Sequence, residues 1–167
     1  FYNKEFKEKH LFNAEVRPSY LQKFPFINKH YKYAALLMPS AIESFDLADF
    51  DMVISSSAFF SKGLVLRPKT RHICYCYSPT RQLWDRQFEY TGESILTKLS
   101  QHLLRIWDRQ AADRVDEFIA NSQNTQARIK KFYRRDSIVI YPPVEVEKIK
   151  KATKNLNPAD YYLVVTR

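Results

Sequence analysis

Only two glycines, Gly63 and Gly92, occur among the 167 residues of the chain. That is very low for a doubly wound sheet, and the glycine-rich phosphate loop that usually opens such a fold has no counterpart here. Cysteine is equally sparse. Cys74 and Cys76 stand two apart, and so on one face of a strand. Their spacing fits neither a Cys-x-x-Cys pair nor a zinc pattern, which leaves buried free thiols in a reducing compartment. No apolar run approaches the ~20 residues that a membrane span needs. The charged opening Phe1-Tyr-Asn-Lys-Glu-Phe-Lys-Glu-Lys9 does not read as a signal peptide. Acidic residues are also short, 18 against 27 Lys plus Arg, for a net charge of +9. This excess asks for an anionic partner without naming one. Nucleic acid, an acidic membrane face and phosphorylated small molecules all qualify, as does a merely solvated basic surface.

What is present is globular in kind. A chain 45% hydrophobic and 27% charged can bury a real core and is not disordered. Its centre is residues 70–85, Thr-Arg-His-Ile-Cys-Tyr-Cys-Tyr-Ser-Pro-Thr-Arg-Gln-Leu-Trp-Asp. Ile73, Tyr75 and Tyr77 alternate with Cys74 and Cys76 as a strand does. Ser78-Pro79 stops the ladder, and Gln82 to Asp85 reads as the start of a helix. Ligands of open parallel sheets gather outside the carboxyl ends of the strands. Thr80, Arg81, Trp84 and Asp85 after such an end therefore form either a pocket rim or an ordinary strand-to-helix turn.

Around this centre the chain reads as alternating strands and helices. Residues 1–39 are lysine- and aromatic-rich, with short helices at residues 20–24 and 27–37. A helix starts near Ser40. The strand Met52-Val-Ile54 empties into Ser55-Ser56-Ser57, whose hydroxyls either bind a sugar or phosphate or cap the next helix. Asp49-Phe-Asp51 spells a metal-binding word, but it precedes that strand at the sheet's amino edge, away from the ligand crevice, so no metal is expected. Ile95, Leu99, Leu103 and Ile106 recur at helical spacing, with Lys98, Gln101, His102, Arg105 and Arg109 on the other side. The expectation is a long amphipathic helix packed on the sheet by its apolar stripe. A strand over 117–121, an N-cap at Ser122, a helix over 123–133 and a strand over 137–141 complete a parallel crossover unit. Arg128, Lys130, Lys131, Arg134 and Arg135 suit that helix's carboxyl dipole end. Beyond Pro142-Pro143 come a basic helix over 145–153 and a fresh strand over 160–166.

Six words occur in order: Asp51-Met-Val-Ile-Ser-Ser-Ser57, His72-Ile-Cys-Tyr-Cys-Tyr-Ser-Pro79, Arg81-Gln-Leu-Trp-Asp85, Arg114-Val-Asp-Glu-Phe-Ile-Ala-Asn-Ser122, Arg128-Ile-Lys-Lys-Phe-Tyr133 and Val139-Ile-Tyr-Pro-Pro-Val144. Together they resemble the acceptor-side domain of family 4 glycosyltransferases, in the bacterial mannosyltransferase-like branch. The resemblance implies an α/β fold, a Rossmann-like parallel sheet flanked by helices, as an incomplete N-terminal domain of a GT-B enzyme. Residues 1–144 would be that domain, 145–159 a hinge and 160–167 the first strand of a donor domain. The implied reaction is retaining transfer of a hexose, mannose from GDP-mannose in this branch, to a glycan or lipid-linked acceptor in polysaccharide biosynthesis. It uses no cofactor and no metal. The implied setting is cytoplasmic, peripheral at the inner face of an acidic membrane. Tyr77 and Arg81 are then the catalytic candidates, and Ser56, Ser57, Trp84 and Asp85 line the acceptor side. Trp84 is either a sugar-stacking platform or a core residue. Tyr77 stands where many members have histidine, and a phenol cannot carry an imidazole's charge. Arg167 matches the arginine that contacts the donor diphosphate. The fragment alone would be inactive. The rival is a non-catalytic basic module binding nucleic acid or glycan. No helix-turn-helix, zinc or RNP-type word supports nucleic acid as a partner, and the basic residues are scattered over several elements.

Overall fold

The computed structural model describes residues 14–24, 33–90 and 94–153. Two 3-10 turns, Tyr20–Lys23 and Tyr33–Leu37, lead into helix α1, Met38–Glu43, and strand β1, Met52–Ser57. A third 3-10 turn, Ser61–Gly63, precedes β2, Arg71–Cys76. After it come the short α2, Gln87–Tyr90, and the long α3, Ile95–Asp113. Strand β3, Glu117–Ala120, helix α4, Gln123–Tyr133, strand β4, Ile138–Val139, and helix α5, Val146–Thr153, follow. The expected helix over 27–37 and strand over 160–166 fall wholly or partly outside the described residues.

The four strands pair in parallel in the order β1-β2-β3-β4. This is the expected α/β, Rossmann-like arrangement. Parallel crossovers are right-handed, and here each one steps the same way across the sheet. Their connecting segments therefore gather on one face. Register shows which face that is: Ser55 pairs with Cys74 and Cys74 with Phe118, Ser57 with Cys76 and Cys76 with Ala120. All six of these side chains are buried. Cys74, Cys76, Phe118 and Ala120, with Ala112 of α3, Val115 of the turn after it and Ile129 and Tyr133 of the next helix, make the core. The opposite face carries Met52, Ile54 and Ile138, all exposed. Cys74 and Cys76 are free and buried, as their spacing led one to expect.

Three expectations need correcting. The stripe Ile95, Leu99, Leu103 and Ile106 does not pack on the sheet; all four are exposed, and α3 turns Leu104, Asp108, Ala111 and Ala112 inward instead. Small alanines let the helix lie close to the strands, and the acid among them is fully partnered, so the narrow face is the inner one. Residues 82–85 form successive turns instead of a helix, closed by Leu83 N–H to Thr80 O at 3.0 Å and Arg86 N–H to Arg81 O at 2.9 Å. The strand expected over 137–141 pairs only at Ile138–Val139. Its last ladder bond is Ile140 N–H to Ala120 O at 2.9 Å, and Pro142 has no donor to continue.

Local chemistry fits the helix ends. Ser122 caps α4, its Oγ accepting from Thr125 N–H at 3.2 Å. Arg135 serves a different helix from the one it follows. Its guanidinium donates to the carbonyls of Ala112 at 3.0 Å and Asp113 at 3.3 Å, covering acceptors that α3 leaves without partners at its end, and to Val115 O just beyond at 2.6 Å. Glu43 of α1 accepts from Trp107 Nε1 at 2.8 Å and Arg114 at 2.6 Å, which pins α1 to α3.

Gly63 sits against the Trp107 indole, and a Cβ there would overlap the ring. Gly63→Ala is therefore expected to cost about 1–3 kcal/mol through overpacking. It should appear as a lowered urea midpoint with an unchanged denaturant slope.

Candidate functional site

The carboxyl ends of β1 and β2 place the expected residues in two groups. The first lies on the open face. Ser56 Oγ donates to Tyr77 OH at 3.4 Å, and the Tyr75 and Tyr77 rings meet edge to face at 5.4 Å between centroids. Tyr75 OH donates to Ile140 O at 3.1 Å, which ties this cluster to the chain leaving β4. Alternation along β1 decides which serine joins it. Ser56 is exposed on this face, while Ser57 points to the covered face, 1% exposed, with its hydroxyl turned to Phe59 O at 3.4 Å. Ser57 is thus placed away from any acceptor on the open face.

The second group lies on the turns after β2. Arg81 Nε is 3.9 Å from Asp85 Oδ2, and Arg128 of α4 reaches the same carboxylate at 2.8 Å. The Arg81 side chain is half exposed, so its guanidinium faces solvent. Among the described residues, no hydrogen bond or ion pair joins this group to Tyr77 and Ser56. Trp84 occupies the core alternative. Its ring stacks on Phe132 with centroids 5.2 Å apart, and its Nε1–H donates to Asp108 Oδ2 at 2.8 Å. Arg167 lies outside the described residues.

Beneath these turns is a constellation that the sequence reading did not find. Asp108 of α3 is 1% exposed, and each of its oxygens accepts twice. Oδ1 takes Lys62 Nζ at 2.5 Å and Thr80 Oγ1 at 2.7 Å; Oδ2 takes Trp84 Nε1 and, at 2.9 Å, Tyr133 OH. Lys62 is as buried as its partner and also donates to Phe59 O at 2.7 Å. Tyr133 OH accepts in turn from Thr80 N–H at 3.3 Å. Burial, then the Asp108 charge, hold the Tyr133 phenol well above its ordinary value, so it remains a donor. The signal was available: Asp108 shares a helix face with Leu104, Ala111 and Ala112, where an unpartnered acid could not be buried.

Two further buried groups matter for pH. His72 is 1% exposed, its Nε2 is 2.8 Å from Ser55 Oγ, and Nδ1 has no partner among the described residues. Burial, partly opposed by Asp116, pushes its pKa down from 6.5. The neighbouring Cys74 sulfur and burial push the Cys76 thiol up, so it stays protonated and unreactive.

Asp108→Asn leaves the Lys62 ammonium buried without a counter-charge. The expected loss is about 3–5 kcal/mol in urea unfolding. The double variant Lys62→Met/Asp108→Leu is expected to recover less than half of that, because Thr80, Trp84 and Tyr133 still lose their acceptor. For His72, the unfolded chain takes up a proton near 6.5 while the folded chain resists it to lower pH. Stability is then fully present above about pH 6.5 and falls as pH drops below it. Urea midpoints taken from about pH 7.5 down to about pH 5.5 should show this slope, and His72→Gln should flatten it.

Neither curated proteins nor solved structures give a match to this chain. The family model of Glycosyltransferase Family 4 matches residues 3–148. That span takes in the whole described sheet, both groups at its carboxyl edge and the Asp108 network. The chain belongs to glycosyltransferase family 4.

Proposed function

We propose that the chain is the acceptor-side part of a retaining GT-B glycosyltransferase that moves a hexose from a nucleotide sugar to a glycan or lipid-linked acceptor. Mannose from GDP-mannose is the donor suited to the branch it resembles, and polysaccharide biosynthesis at the cytoplasmic face of a membrane is the setting. In this reading residues 1–144 bind the acceptor, 145–159 are the hinge, and the strand at 160–167 with Arg167 opens the donor domain. The observation that carries the reading is the family match over a parallel sheet whose carboxyl edge presents hydroxyls on one side and a guanidinium on the other.

Sugar transfer makes three demands. The leaving diphosphate needs cationic or amide stabilisation, the acceptor hydroxyl must be held near the anomeric carbon, and water must be kept out. Arg81 suits the first, since a guanidinium grips phosphate oxygens in pairs, and Asp85 with Arg128 fixes the turn that bears it. Tyr77 and Ser56 suit the second as hydroxyl partners of a sugar. The third is the work of the second domain closing over the first. No metal and no organic cofactor enter this scheme. The rival basic-module reading is weakened by how the cations are used: Arg71, Arg114, Arg128 and Lys62 are all paired with carboxylates.

Two assays test the reading. The 167-residue chain incubated with nucleotide sugars and a lipid-linked acceptor should transfer nothing above buffer, and the protein made from its native gene should transfer from at least one donor. In the active protein, Arg81→Ala is expected to lower kcat/KM by about 100-fold, the usual loss for one charge-stabilising donor. An unaffected kcat/KM would remove Arg81 from the site, and inactivity with every donor would remove the transfer reading.

A further inference from the structure

Helix α3 presents the wrong face to water for a free monomer. Ile95 is 84% exposed, Leu96 72%, Leu99 52%, Leu103 51% and Ile106 44%. At about 100° per residue, these five fall within an arc of roughly 100°, the width of a complete apolar helix face. The opposite arc, with Leu104, Asp108, Ala111 and Ala112, is already packed on the core. Phe88, in the short α2, is itself 86% exposed. Soluble monomers rarely leave an aliphatic surface this continuous open, and one that persists marks a docking site.

Charge identifies what docks. Lys98 and His102 lie exposed on one flank of the stripe, adjoining Ile95 in the helical projection; Arg105 and Arg109 share that flank but are engaged within the chain, Arg105 with Leu83 O at 2.7 Å and Arg109 with Asp113. From Ile95 to Ala112 the helix carries a single acid, Asp108, and that one is buried and occupied. Its outer surface thus offers apolar side chains, cations and uncharged polar groups such as the exposed Gln110, and no carboxylate until Asp113, which pairs with Arg109 at 2.5 Å. The stripe itself ends at Ile106, before the turns that Trp107 and Arg114 lock to α1. An apolar face flanked by Lys98 and His102, with no exposed acid from Ile95 to Ala112, is the pattern of a helix lying in the plane of an anionic lipid surface. No helix among the described residues is long and apolar enough to cross a membrane. A protein partner would also cover the aliphatics, but it gives no reason for the absence of acid. The net charge of +9 adds long-range attraction to an acidic leaflet.

We infer that α3 is a membrane-docking surface. Its face Ile95, Leu96, Leu99, Leu103 and Ile106 enters the headgroup boundary of an anionic bilayer, and Lys98 and His102 meet the lipid phosphates. This specifies the surface behind the membrane setting proposed above and rests on that reading for its biological sense. The measurement itself does not, because vesicles carrying neither donor nor acceptor report on docking alone.

The experiment is co-flotation of the 167-residue chain with vesicles of phosphatidylcholine alone or of phosphatidylcholine with phosphatidylglycerol. The chain is expected to float with the anionic vesicles and to bind the neutral ones at least about tenfold more weakly. Leu99→Glu/Leu103→Glu should reduce anionic binding by about tenfold or more. Lys69→Glu changes the net charge by the same amount, in the turn before β2 at the sheet's amino edge, and should keep most of the binding. Far-UV circular dichroism confirms that each variant is folded, and Leu99→Ser/Leu103→Ser replaces the glutamate pair if that pair is not. Three results would overturn the inference. They are no flotation of the folded chain with anionic vesicles, equal flotation by the stripe variant, or a concentration-dependent dimer in solution that the stripe variant abolishes. Docking without sugar transfer by the native protein would leave the inference standing and remove only the transferase reading.

Discussion

A carboxylate placed in a protein interior has to have its lone pairs met, because each unmet one carries a desolvation cost that the fold cannot recover elsewhere. Asp108 meets this condition with four donors drawn from three separate segments: Lys62 from the turn after β1, Thr80 and Trp84 from the turns after β2, and Tyr133 from the last turn of α4. Each crossover between neighbouring strands supplies at least one group. The distance of the helix layer from the sheet, the depth of the Lys62 turn and the path of residues 78–86 are therefore set together. The ring contacts reinforce this: Lys62 Nζ lies 5.2 Å from the Tyr133 ring centroid, and Trp84 meets Tyr133 edge on at 6.3 Å. An apolar core of the same size would tolerate slippage of these turns; a doubly bonded oxygen pair does not.

The consequence reaches the sheet's carboxyl edge. Thr80 and Trp84, both held by Asp108, bracket Arg81, and Asp85 follows directly. Arg81 gains a fixed base without making a buried contact of its own. Its guanidinium can stay half exposed because the backbone on either side is anchored. Arg128 closes the arrangement from α4 through Asp85. In the role proposed for Arg81, a residue that meets an anionic group is better positioned by its neighbours than by bonds to its own head group, which that group would have to break.

The strand and helix order was legible because its signals are local. Alternation marked β2, Ser122 marked the start of α4, and that helix ends at Tyr133 as its pattern required. The side of the sheet facing the helices was not legible, since apolar stripes on both faces of a strand look alike until the winding direction is known. Nor was the orientation of α3. Its wide aliphatic face was the natural candidate for the interior, and only the partners of Asp108, which come from distant segments, make the narrow face the better one to bury. The site divides in the same way. Tyr77 and Ser56 share a face by strand period and register, which a sequence reading can anticipate. The pairing of Asp85 with Arg128 spans 43 positions, and no spacing rule reaches that far.

The inverted helix and the buried carboxylate have one cause. An acid needs donors, and the donors available to this fold lie on the sheet side, in Lys62, Thr80, Trp84 and Tyr133. Turning Asp108 toward them fixes the rotation of the whole helix, since all side chains move with its axis. Ala111 and Ala112 then face the strands closely. The five larger aliphatics, roughly half a turn away, are carried to the outside. Had position 108 been apolar, burying the Ile95–Ile106 stripe would have removed more hydrocarbon from water. The polar network thus outweighs the hydrophobic preference of the helix, and the unspent preference is what the outer face of α3 offers to another surface.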